Sequence, residues 1–436
     1  MKQKLFVLSM DAMVHEDVAY MMTKPNFRKI MEKRAEVEKV LSVFPAITYP
    51  AHTTMMTGCY PGKHGIYNNV PFKDYDDKKK HWYLDSKVIR VEDIFAAAKR
   101  AGCTTASVYW PITGNNPNVD YIINEYFFFY RDESPEQAFT KMGADEVAMK
   151  AVRDNYEFLP PRVHPEGKSK LGFDPFIMAC TCSLIRDAKP DVLLVHNCAL
   201  DSARHTDGVF GKSVFEALDR TDAWLGDVLA AMTDAGTYED TNFVILSDHG
   251  QMDYEKRIRP NVLLAKGGFL DVAPDGTVYD WQAFAQNNAM SASVYLRDPN
   301  NKKLYDKVYA YLQKLVDEKK WGLTKVYTTE EAKEKYGTYG PFSFMLATDG
   351  KTSVSEAWTE DAIEILGADE QKPLCGTHGY EPELGPQPVF LAHGPAFKHG
   401  AVLENAKLVD IAPTLAAVLG ETMPEADGRV LTELLK

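Results

Sequence analysis

The sequence predicts an α/β fold with a mostly parallel β-sheet flanked by helices on both faces. The first sign is a set of five short apolar runs: KLFVLSMD, TTASVYW, DVLLVHNC, NFVILSDHG and QPVFLAHG. Runs that are apolar at successive positions are typical of parallel strands covered on both faces. Helical patterns alternate with them, namely VEDIFAAAKRAG, the stretch 209–236 and VDIAPTLAAVLG. This alternation indicates a doubly wound sheet.

Acidic and histidine side chains stand directly after three of these runs. Asp11 ends the first run, Asp201 and His205 follow DVLLVHNC, and Asp248 with His249 ends NFVILSDHG. Open parallel sheets carry their ligand sites just beyond the carboxyl ends of the strands. We therefore expect these five side chains to gather on one rim of the sheet as candidate metal ligands.

The length of 436 residues suits one large domain that carries an insertion. Within 253–375 the pattern changes to an amphipathic helix, LYDKVYAYLQKLVDEKK, a mixed segment and a strand in FSFMLATDG. We assign residues 253–375 to an inserted, smaller α+β cap domain. Residues 1–252 and 376–436 are assigned to the main domain, because QPVFLAHG then returns to the main sheet.

A second excursion from the sheet, residues 115–174, is rich in aromatic residues and contains prolines. We expect it to line the cleft. Its aromatic cluster YFFFY, residues 126–130, fits an aromatic core better than a substrate wall.

Composition and charge exclude some partners. A net charge of -13 gives duplex nucleic acid no general attraction, so a phosphate has to be captured locally, as bound cations can do. No segment approaches the roughly 20 apolar residues of a membrane helix, and the first residues indicate a strand and not a signal peptide. The six cysteines are sparse and are interpreted as reduced thiols. We expect a cytoplasmic protein without a membrane partner, and the oligomeric state stays open.

The segment FPAITYPAHTTMMTGCYPGKHGIYNN carries the candidate nucleophile. Thr48 ends a short apolar run and Pro50 follows it, which favours a helix that begins there. A hydroxyl at that point faces the positive end of the helix dipole, which also favours an incoming phosphate. A threonine hydroxyl is a weak nucleophile, and no partner of the serine-protease type accompanies it. Activation by a divalent cation is therefore the better explanation, and Asp and His ligands favour zinc over calcium or magnesium.

The order of these residues resembles the metal-ligand order of the nucleotide pyrophosphatase/phosphodiesterase branch of the alkaline phosphatase superfamily. TYPAHTTMMTGCYPGKHGI is similar to the nucleophile segment of that family, and DSARH, SDHG and GTHG are similar to its D-x-x-x-H, D-H-G and late histidine signatures. Two positions depart from the pattern. Ala51 replaces the usual asparagine, and the usual tyrosine before D-x-x-x-H is replaced, with His196 in that neighbourhood. Both departures weaken the implication of a nucleotide substrate.

The resemblance implies an alkaline phosphatase-like fold and two divalent ions, zinc or alternatively manganese. The implied ligands are Asp11, Thr48, Asp248 and His249 for one ion, and Asp201, His205 and His378 for the other. Thr48 is then the nucleophile of a two-step in-line displacement through a phosphothreonine. Asn69 is implied to donate a hydrogen bond to a phosphoryl oxygen, and Tyr49 to offer a ring on which a base stacks.

We predict a phosphodiesterase or nucleotide pyrophosphatase that acts on a small phosphorylated substrate. A phosphonoacetate hydrolase-like enzyme, a phosphomonoesterase and a non-catalytic metal-binding pseudoenzyme remain as alternatives. His52 and His196 are expected to make structural hydrogen bonds only. Cys59 and the residues after it mimic the formylglycine segment of sulfatases, but Lys63 stands where that segment requires arginine.

Overall fold

The structure, a computed structural model, describes residues 3–72, 81–126, 133–160, 172–366 and 375–436. Its strands are β1 (Lys4–Met10), β2 (Ala35–Leu41), β3 (Thr105–Val108), β4 (Tyr121–Ile123), β5 (Val192–Asn197), β6 (Thr241–Leu246), β7 (Met252–Tyr254), β8 (Lys256–Ile258), β9 (Leu270–Val272), β10 (Val278–Trp281), β11 (Ala283–Asn287), β12 (Ser291–Leu296), β13 (Leu323–Thr328), β14 (Phe344–Thr348), β15 (Thr352–Val354), β16 (Ile363–Ile365), β17 (Cys375–Thr377), β18 (Phe390–His393) and β19 (Val402–Lys407).

Its α-helices are α1 (His15–Met21), α2 (Pro25–Met31), α3 (Thr48–Thr57), α4 (Pro61–His64), α5 (Ile94–Arg100), α6 (Pro135–Lys141), α7 (Glu146–Asp154), α8 (Asp174–Asp187), α9 (Ala199–Asp207), α10 (Lys212–Ala235), α11 (Pro260–Lys266), α12 (Lys302–Asp317), α13 (Thr329–Tyr336) and α14 (Ile411–Val418). Short 3-10 turns lie at Ser86–Val88, Tyr156–Phe158, Tyr238–Asp240 and Leu408–Asp410.

The largest sheet has eight strands in the order β19-β2-β18-β6-β1-β5-β3-β4. Seven of the eight run in one direction, and β18 runs antiparallel to both of its neighbours, β6 and β2. The expected mostly parallel sheet is thus present. The prediction that QPVFLAHG is a parallel strand was wrong in direction, because an apolar run shows that a strand is covered and not which way it points.

Strand β1 shows why the apolar runs are uninterrupted. Leu5 and Val7 pack into one hydrophobic cluster with α3, α5 and α14, whereas Phe6 and Leu8 pack into another with α2, α8 and α10. Successive side chains of a strand point to opposite faces, so a strand with a core on each side needs apolar residues at every position. The predicted helices 94–100, 212–235 and 411–418 supply these two covering layers.

Residues 253–366 form smaller sheets beside the large one. The main one is antiparallel, with the order β11-β12-β14-β13, and it shares a hydrophobic cluster with α11, α12 and α13. Phe44 and Tyr67 join that cluster from the other part of the chain. The predicted helix and strand of this region are α12 and β14. The boundaries of a separate cap domain stay a prediction.

The excursion 115–174 is described only in part. Tyr126 is buried and packs on Phe139, with ring centroids 5.4 Å apart, whereas residues 127–130 of the aromatic cluster lie outside the described residues. Within the described ranges, no helix is both long enough and apolar enough to cross a bilayer.

Candidate active site

Three neighbouring strands of the large sheet end together. Strand β1 lies between β6 and β5, and Asp11 follows its last residue. The backbone N–H of Asp11 donates to the carbonyl oxygen of Asn197 at the end of β5 (2.9 Å). The N–H of Ala12 donates to the carboxylate of Asp248 beyond the end of β6 (3.2 Å). The expected rim therefore exists, and backbone hydrogen bonds between loops hold its acidic residues together.

The first group of candidate ligands comprises Asp11, Asp248 and His249, whose ligand atoms all lie within 4.8 Å of one another. All three side chains are buried. His249 Nε2 lies 3.1 Å from Asp248 Oδ2 and 3.6 Å from Asp11 Oδ1. The described residues give neither of these carboxylate oxygens, nor either ring nitrogen of His249, a hydrogen-bond partner.

The second group comprises Asp201, His205 and His378. Asp201 and His205 lie one turn apart on α9, and His378 follows β17. His205 Nε2 and His378 Nε2 lie 3.2 and 3.7 Å from Asp201 Oδ1. His205 Nδ1 lies 2.9 Å from the carbonyl oxygen of Gly376. Because a carbonyl oxygen only accepts, Nδ1 carries the proton and Nε2 presents its lone pair to the group, as ligating histidines do.

The two groups adjoin through stacked rings. The imidazoles of His249 and His378 are 4.0 Å apart between centroids, with an interplanar angle of 19°. The two groups differ in exposure, since the side chain of Asp248 is fully buried, whereas those of Asp201 and His205 are 18% and 37% exposed. One set therefore lies inside the protein, and the other opens to its surface.

The electrostatics of the groups suit divalent cations. Burial, followed by the carboxylates of Asp248 and Asp201, holds the pKa of Asp11 well above its ordinary range. Burial alone would also raise the pKa of Asp248, but His249 and His52 lower it. Burial lowers the pKa of His249, which keeps the imidazole in the neutral, ligating form. Buried carboxylates with partnerless oxygens and neutral imidazoles are the donor set that zinc takes.

Thr48 is the first residue of α3 and is buried, with 8% of its surface exposed. His52 links it to the first group: its Nδ1 lies 2.8 Å from the carbonyl oxygen of Thr48 and 3.4 Å from Asp248 Oδ2. Its Nε2 lies 2.8 Å from the hydroxyl of Ser9 on β1. His52 therefore fixes the beginning of α3 against the sheet, in keeping with the structural role expected for it.

Asn69 and Tyr49 adjoin Thr48 as well. The N–H of Tyr49, the residue after Thr48, donates to Asn69 Oδ1 (2.9 Å), which fixes the orientation of the amide, whose NH₂ group is a donor. The ring of Tyr49 is fully buried against Trp82, Ile66 and Ile112. A base can stack on this ring only if the covering side chains move, so the predicted stacking role has no support in this arrangement.

His196 contributes more than the structural hydrogen bond expected for it. It lies on β5, and its Nε2 is 3.1 Å from Asp11 Oδ2, whereas Asp11 Oδ1 faces His249. His196 therefore orients Asp11 from the side opposite the first group. The sequence signal for this role was a histidine inside a fully buried strand, VLLVHN, where an imidazole needs a polar partner.

Asp11, His196 and Cys198 form a third set of neighbouring donor atoms. The sulfur of Cys198 is almost equally far from both ring nitrogens of His196, 3.7 and 3.8 Å, so it lies beside the ring and off the Nε2 lone pair. Asp11 also belongs to the first group, so this set shares a donor residue with it.

A buried carboxylate that the sequence did not single out, Glu125, lies behind His196. Its Oε1 is 3.9 Å from His196 Nδ1, and its Oε2 accepts a hydrogen bond from the hydroxyl of Tyr49. Burial raises the pKa of Glu125 to about 8. The wall of the site therefore holds a neutral carboxyl group at neutral pH.

Cys59 belongs to a different part of the molecule. Its sulfur lies 3.2 Å from the carbonyl oxygen of Glu425, Lys63 pairs with Asp427, and burial raises the pKa of the thiol to about 11. This surrounding fits a packed thiol and not a nucleophile.

Comparisons with known proteins show what the chain is similar to. The family model described as type I phosphodiesterase / nucleotide pyrophosphatase matches residues 5–381. The bis(5'-adenosyl)-triphosphatase enpp4 of Xenopus laevis is 23% identical over 431 residues, which cover 96% of this chain and 78% of that protein. Human ectonucleotide pyrophosphatase/phosphodiesterase family member 5 is 24% identical over 437 residues, which cover 98% and 76%. The human family member 1 is longer, and the chain spans 39% of it at 21% identity.

Solved structures agree with the fold. The murine ectonucleotide pyrophosphatase / phosphodiesterase 5 superposes with a TM-score of 0.69 at 21% identity, and the match covers 100% of both chains. This likeness confirms the predicted alkaline phosphatase-like α/β fold.

Proposed function

The chain belongs to the type I phosphodiesterase / nucleotide pyrophosphatase family of metal-dependent hydrolases, and we propose that it cleaves a small phosphodiester or pyrophosphate with Thr48 as nucleophile. The observation that carries this proposal is the pair of adjoining ligand groups, with partnerless buried donors in the first, beside a helix that begins at Thr48. Its enzyme class, hydrolysis of phosphoester or phosphoanhydride bonds, follows from the family. The covalent intermediate and the number and identity of the ions are the proposed part.

Each residue group has a role that its position supports. Asp11, Asp248 and His249 would hold one ion beside Thr48, and Asp201, His205 and His378 would hold the other. Divalent cations bound there would supply charge neutralisation and a lowered pKa for an oxygen next to them. Three imidazoles among six donors favour zinc, with manganese as the alternative.

The reaction has two balanced displacements. In the first, the Thr48 Oγ1–P bond forms and the bond from phosphorus to the leaving oxygen breaks; the leaving oxygen takes the electron pair of that bond, and the proton of the threonine hydroxyl passes to it or to solvent. In the second, a water oxygen bonds to phosphorus, the Thr48 Oγ1–P bond breaks, and a proton of that water restores the hydroxyl. The NH₂ group of Asn69, oriented by the Tyr49 N–H, would donate to a phosphoryl oxygen as its charge increases.

The substrate is a separate proposal. One relative is named for the hydrolysis of bis(5'-adenosyl) triphosphate, and a solved structure of an inactive variant of the murine protein holds AMP. A dinucleotide is therefore the first substrate to test. Because Ala51 and His196 depart from the family pattern and Tyr49 is buried, a substrate without a base is tested beside it. The cytoplasmic location stays a prediction.

The test compares the wild type with Thr48→Ala after zinc loading. We expect Thr48→Ala to lose more than about 10³-fold in kcat and to fold normally. The substrates are bis-p-nitrophenyl phosphate, a dinucleotide, p-nitrophenyl phosphate and phosphonoacetate, which separate the diesterase, monoesterase and phosphonate alternatives. Thr140→Ala, on the exposed surface of α6, is the matched control.

Two outcomes would contradict the proposal. Full turnover by Thr48→Ala excludes Thr48 as the nucleophile. Zinc binding without turnover of any substrate by the wild type favours the non-catalytic alternative. Mass spectrometry of protein quenched during turnover is expected to find the phosphoryl adduct on the peptide that contains Thr48.

A further inference from the structure

A cavity of about 480 Å³ opens beside the second ligand group. His205 and His378 form one side of it, and β8 with residues 353–356 forms the other. Nearly all of the remaining lining is polar or charged. The role of this cavity rests on the proposed function, in which a group leaves from phosphorus as Thr48 bonds to it.

The geometry of an in-line displacement connects the cavity to the leaving group. The leaving oxygen departs on the side of phosphorus opposite Thr48. The first ligand group, beside Thr48, is buried, whereas His205 and His378 of the second group line the cavity. The cavity thus lies on the more exposed side of the two ligand groups, where a departing group can reach solvent.

Two arginines line the cavity, Arg257 on β8 and Arg259 directly after it, and they differ in their hydrogen bonds and ion pairs. Arg259 is buried and paired through its two terminal nitrogens: it pairs with Glu360 and Glu364, at 2.9 Å for the latter, and donates to the carbonyl oxygen of Asp361 (2.8 Å), while its Nε has no hydrogen-bond partner among the described residues. The side chain of Arg257 is 35% exposed.

The contacts of Arg257 are few. Its Nη2 donates to the hydroxyl of Tyr254 (3.0 Å), and its Nη1 is 3.5 Å from Glu364, the far limit of a hydrogen bond. A guanidinium has five N–H donors in a planar fork. Arg257 is thus the more exposed of the two cavity arginines, at 35% against 7%, and has donors to offer; its fork matches a carboxylate or a phosphate with two parallel bonds.

The rest of the lining limits where the negative charge of a ligand can lie. Glu360 is already paired with Arg259, and Glu356 accepts from the backbone N–H of Asn287 (2.9 Å). Both carboxylates repel an anion, so an anionic group is favoured only at the end of the cavity where Arg257 lies. Apart from the imidazoles of His205 and His378, Tyr254 is the single aromatic side chain among the described residues of the lining, and it is 9% exposed with Arg257 over its ring. A base has no free ring face there.

We propose that this cavity receives the leaving group of the substrate and that Arg257 selects a leaving group that carries an anionic oxygen group, a carboxylate or a phosphate. The preferred substrates are then esters whose departing alcohol is itself acidic, or pyrophosphates, whose departing group is a phosphate. Arg257 is the specificity-determining residue.

A matched pair of chromogenic substrates tests the proposal. Two methyl phosphodiesters carry the same nitrophenol leaving group, substituted in one with a carboxylate and in the other with the carboxamide of the same shape. We expect zinc-loaded wild type to favour the carboxylate about tenfold in kcat/KM, as a charge-assisted hydrogen bond supplies. Arg257→Gln is expected to bring this ratio near one, and Arg257→Lys to keep part of it. A third ester, with phosphate in place of the carboxylate, distinguishes the two anions.

Arg297→Gln is the control, because Arg297 is a half-exposed arginine paired with Asp280 and does not line the cavity. A wild-type ratio near one, or a ratio that Arg257→Gln leaves intact, overturns the proposal.

Failure of the proposed function looks different, since neither ester is then turned over. In that case, the role of Arg257 is tested by calorimetry, which measures the binding of the free leaving groups to Thr48→Ala. The carboxylate is expected to bind about tenfold more tightly than the carboxamide, and this preference is expected to vanish when Arg257→Gln is added. Equal binding of the two overturns the role of Arg257.

Discussion

Replacing Asp11 by asparagine is expected to stabilise the metal-free protein and to remove the stabilisation that zinc provides at the first ligand group. The pKa of Asp11 is raised by burial and by the neighbouring carboxylates, chiefly Asp248. A carboxyl group whose pKa rises on folding contributes stability at low pH and loses it as the pH climbs from its ordinary value of 3.8 through the raised folded value. At neutral pH, without a cation, this carboxyl group therefore opposes folding, and the amide, which has no proton to gain or lose, does not oppose it in this way.

The magnitude follows from the bonding of the side chain. Asp11 Oδ1 is buried without a partner among the described residues, and a buried charged oxygen without a partner costs more than a neutral amide in its place, by about 1–3 kcal/mol. A chain of 436 residues unfolds with an entropy of about 0.9 kcal/mol per degree. Asp11→Asn should therefore raise the Tm of the metal-free protein by about 1–3 °C. Zinc at a thousandfold excess over its Kd adds about 4 kcal/mol per site, or about 4–5 °C, and the variant should lose this gain at the first group.

Differential scanning calorimetry of EDTA-treated protein, before and after zinc is added back, measures both effects. Asp280→Asn, which neutralises a half-exposed carboxylate away from the site, is the control. The reasoning is refuted if metal-free Asp11→Asn melts below the wild type, or if zinc stabilises the variant as much as it stabilises the wild type.

Three further changes test the surroundings of the ligands. Gln251 donates to Asp201 Oδ1 (2.6 Å), so Gln251→Leu should weaken zinc binding at the second group about 10–100-fold. The control variant Gln313→Leu should bind zinc as the wild type does. Competition with a chelator measures the affinities, and equal affinities for Gln251→Leu and the wild type would contradict the prediction. Gly379 has φ +85°, and a Cβ there would lie 1.9 Å from a backbone oxygen. Gly379→Ala should therefore lower the free energy of unfolding, measured in urea, by at least about 2 kcal/mol, and the variant should bind one zinc ion fewer. Unchanged stability would argue against strain at this position. Burial raises the pKa of Glu125 from 4.5 to about 8. As the pH rises between these two values, the wild type should therefore lose stability relative to Glu125→Gln by about 1.4 kcal/mol per pH unit. A stability difference between the two proteins that does not depend on pH would exclude this pKa shift.

The rim of the sheet could be predicted from the sequence because its signals are local. A buried strand shows as an apolar run, and a polar residue at its end shows where the run stops, so Asp11 and Asp248 could be placed without coordinates. The direction of β18 could not be predicted in this way, since its apolar run reads the same in either direction. Strand β19 was missed for another reason: it lies at the sheet edge, and its sequence VLENAK is too polar to show the pattern.

The side chains that orient the ligands were harder to predict, because their contacts join distant parts of the chain. His52 reaches Asp248 and His196 reaches Asp11 only after α3 and β5 pack against β1. The burial of Tyr49 likewise depends on Trp82, which comes from a different loop. The spacing of residues within one segment does not predict such contacts. A resemblance between motifs predicts which residues are ligands, but it does not predict the side chains that orient them.

The late position of His378 has a consequence for biosynthesis. A polypeptide still attached to the ribosome has every carboxylate and imidazole of the first group once His249 has emerged. The second group is one donor short until more than a hundred additional residues have been translated. Capture of an ion there would thus report that the long middle segment has folded and brought its far end back to α9. A fragment cleaved inside that segment should keep one ion at most.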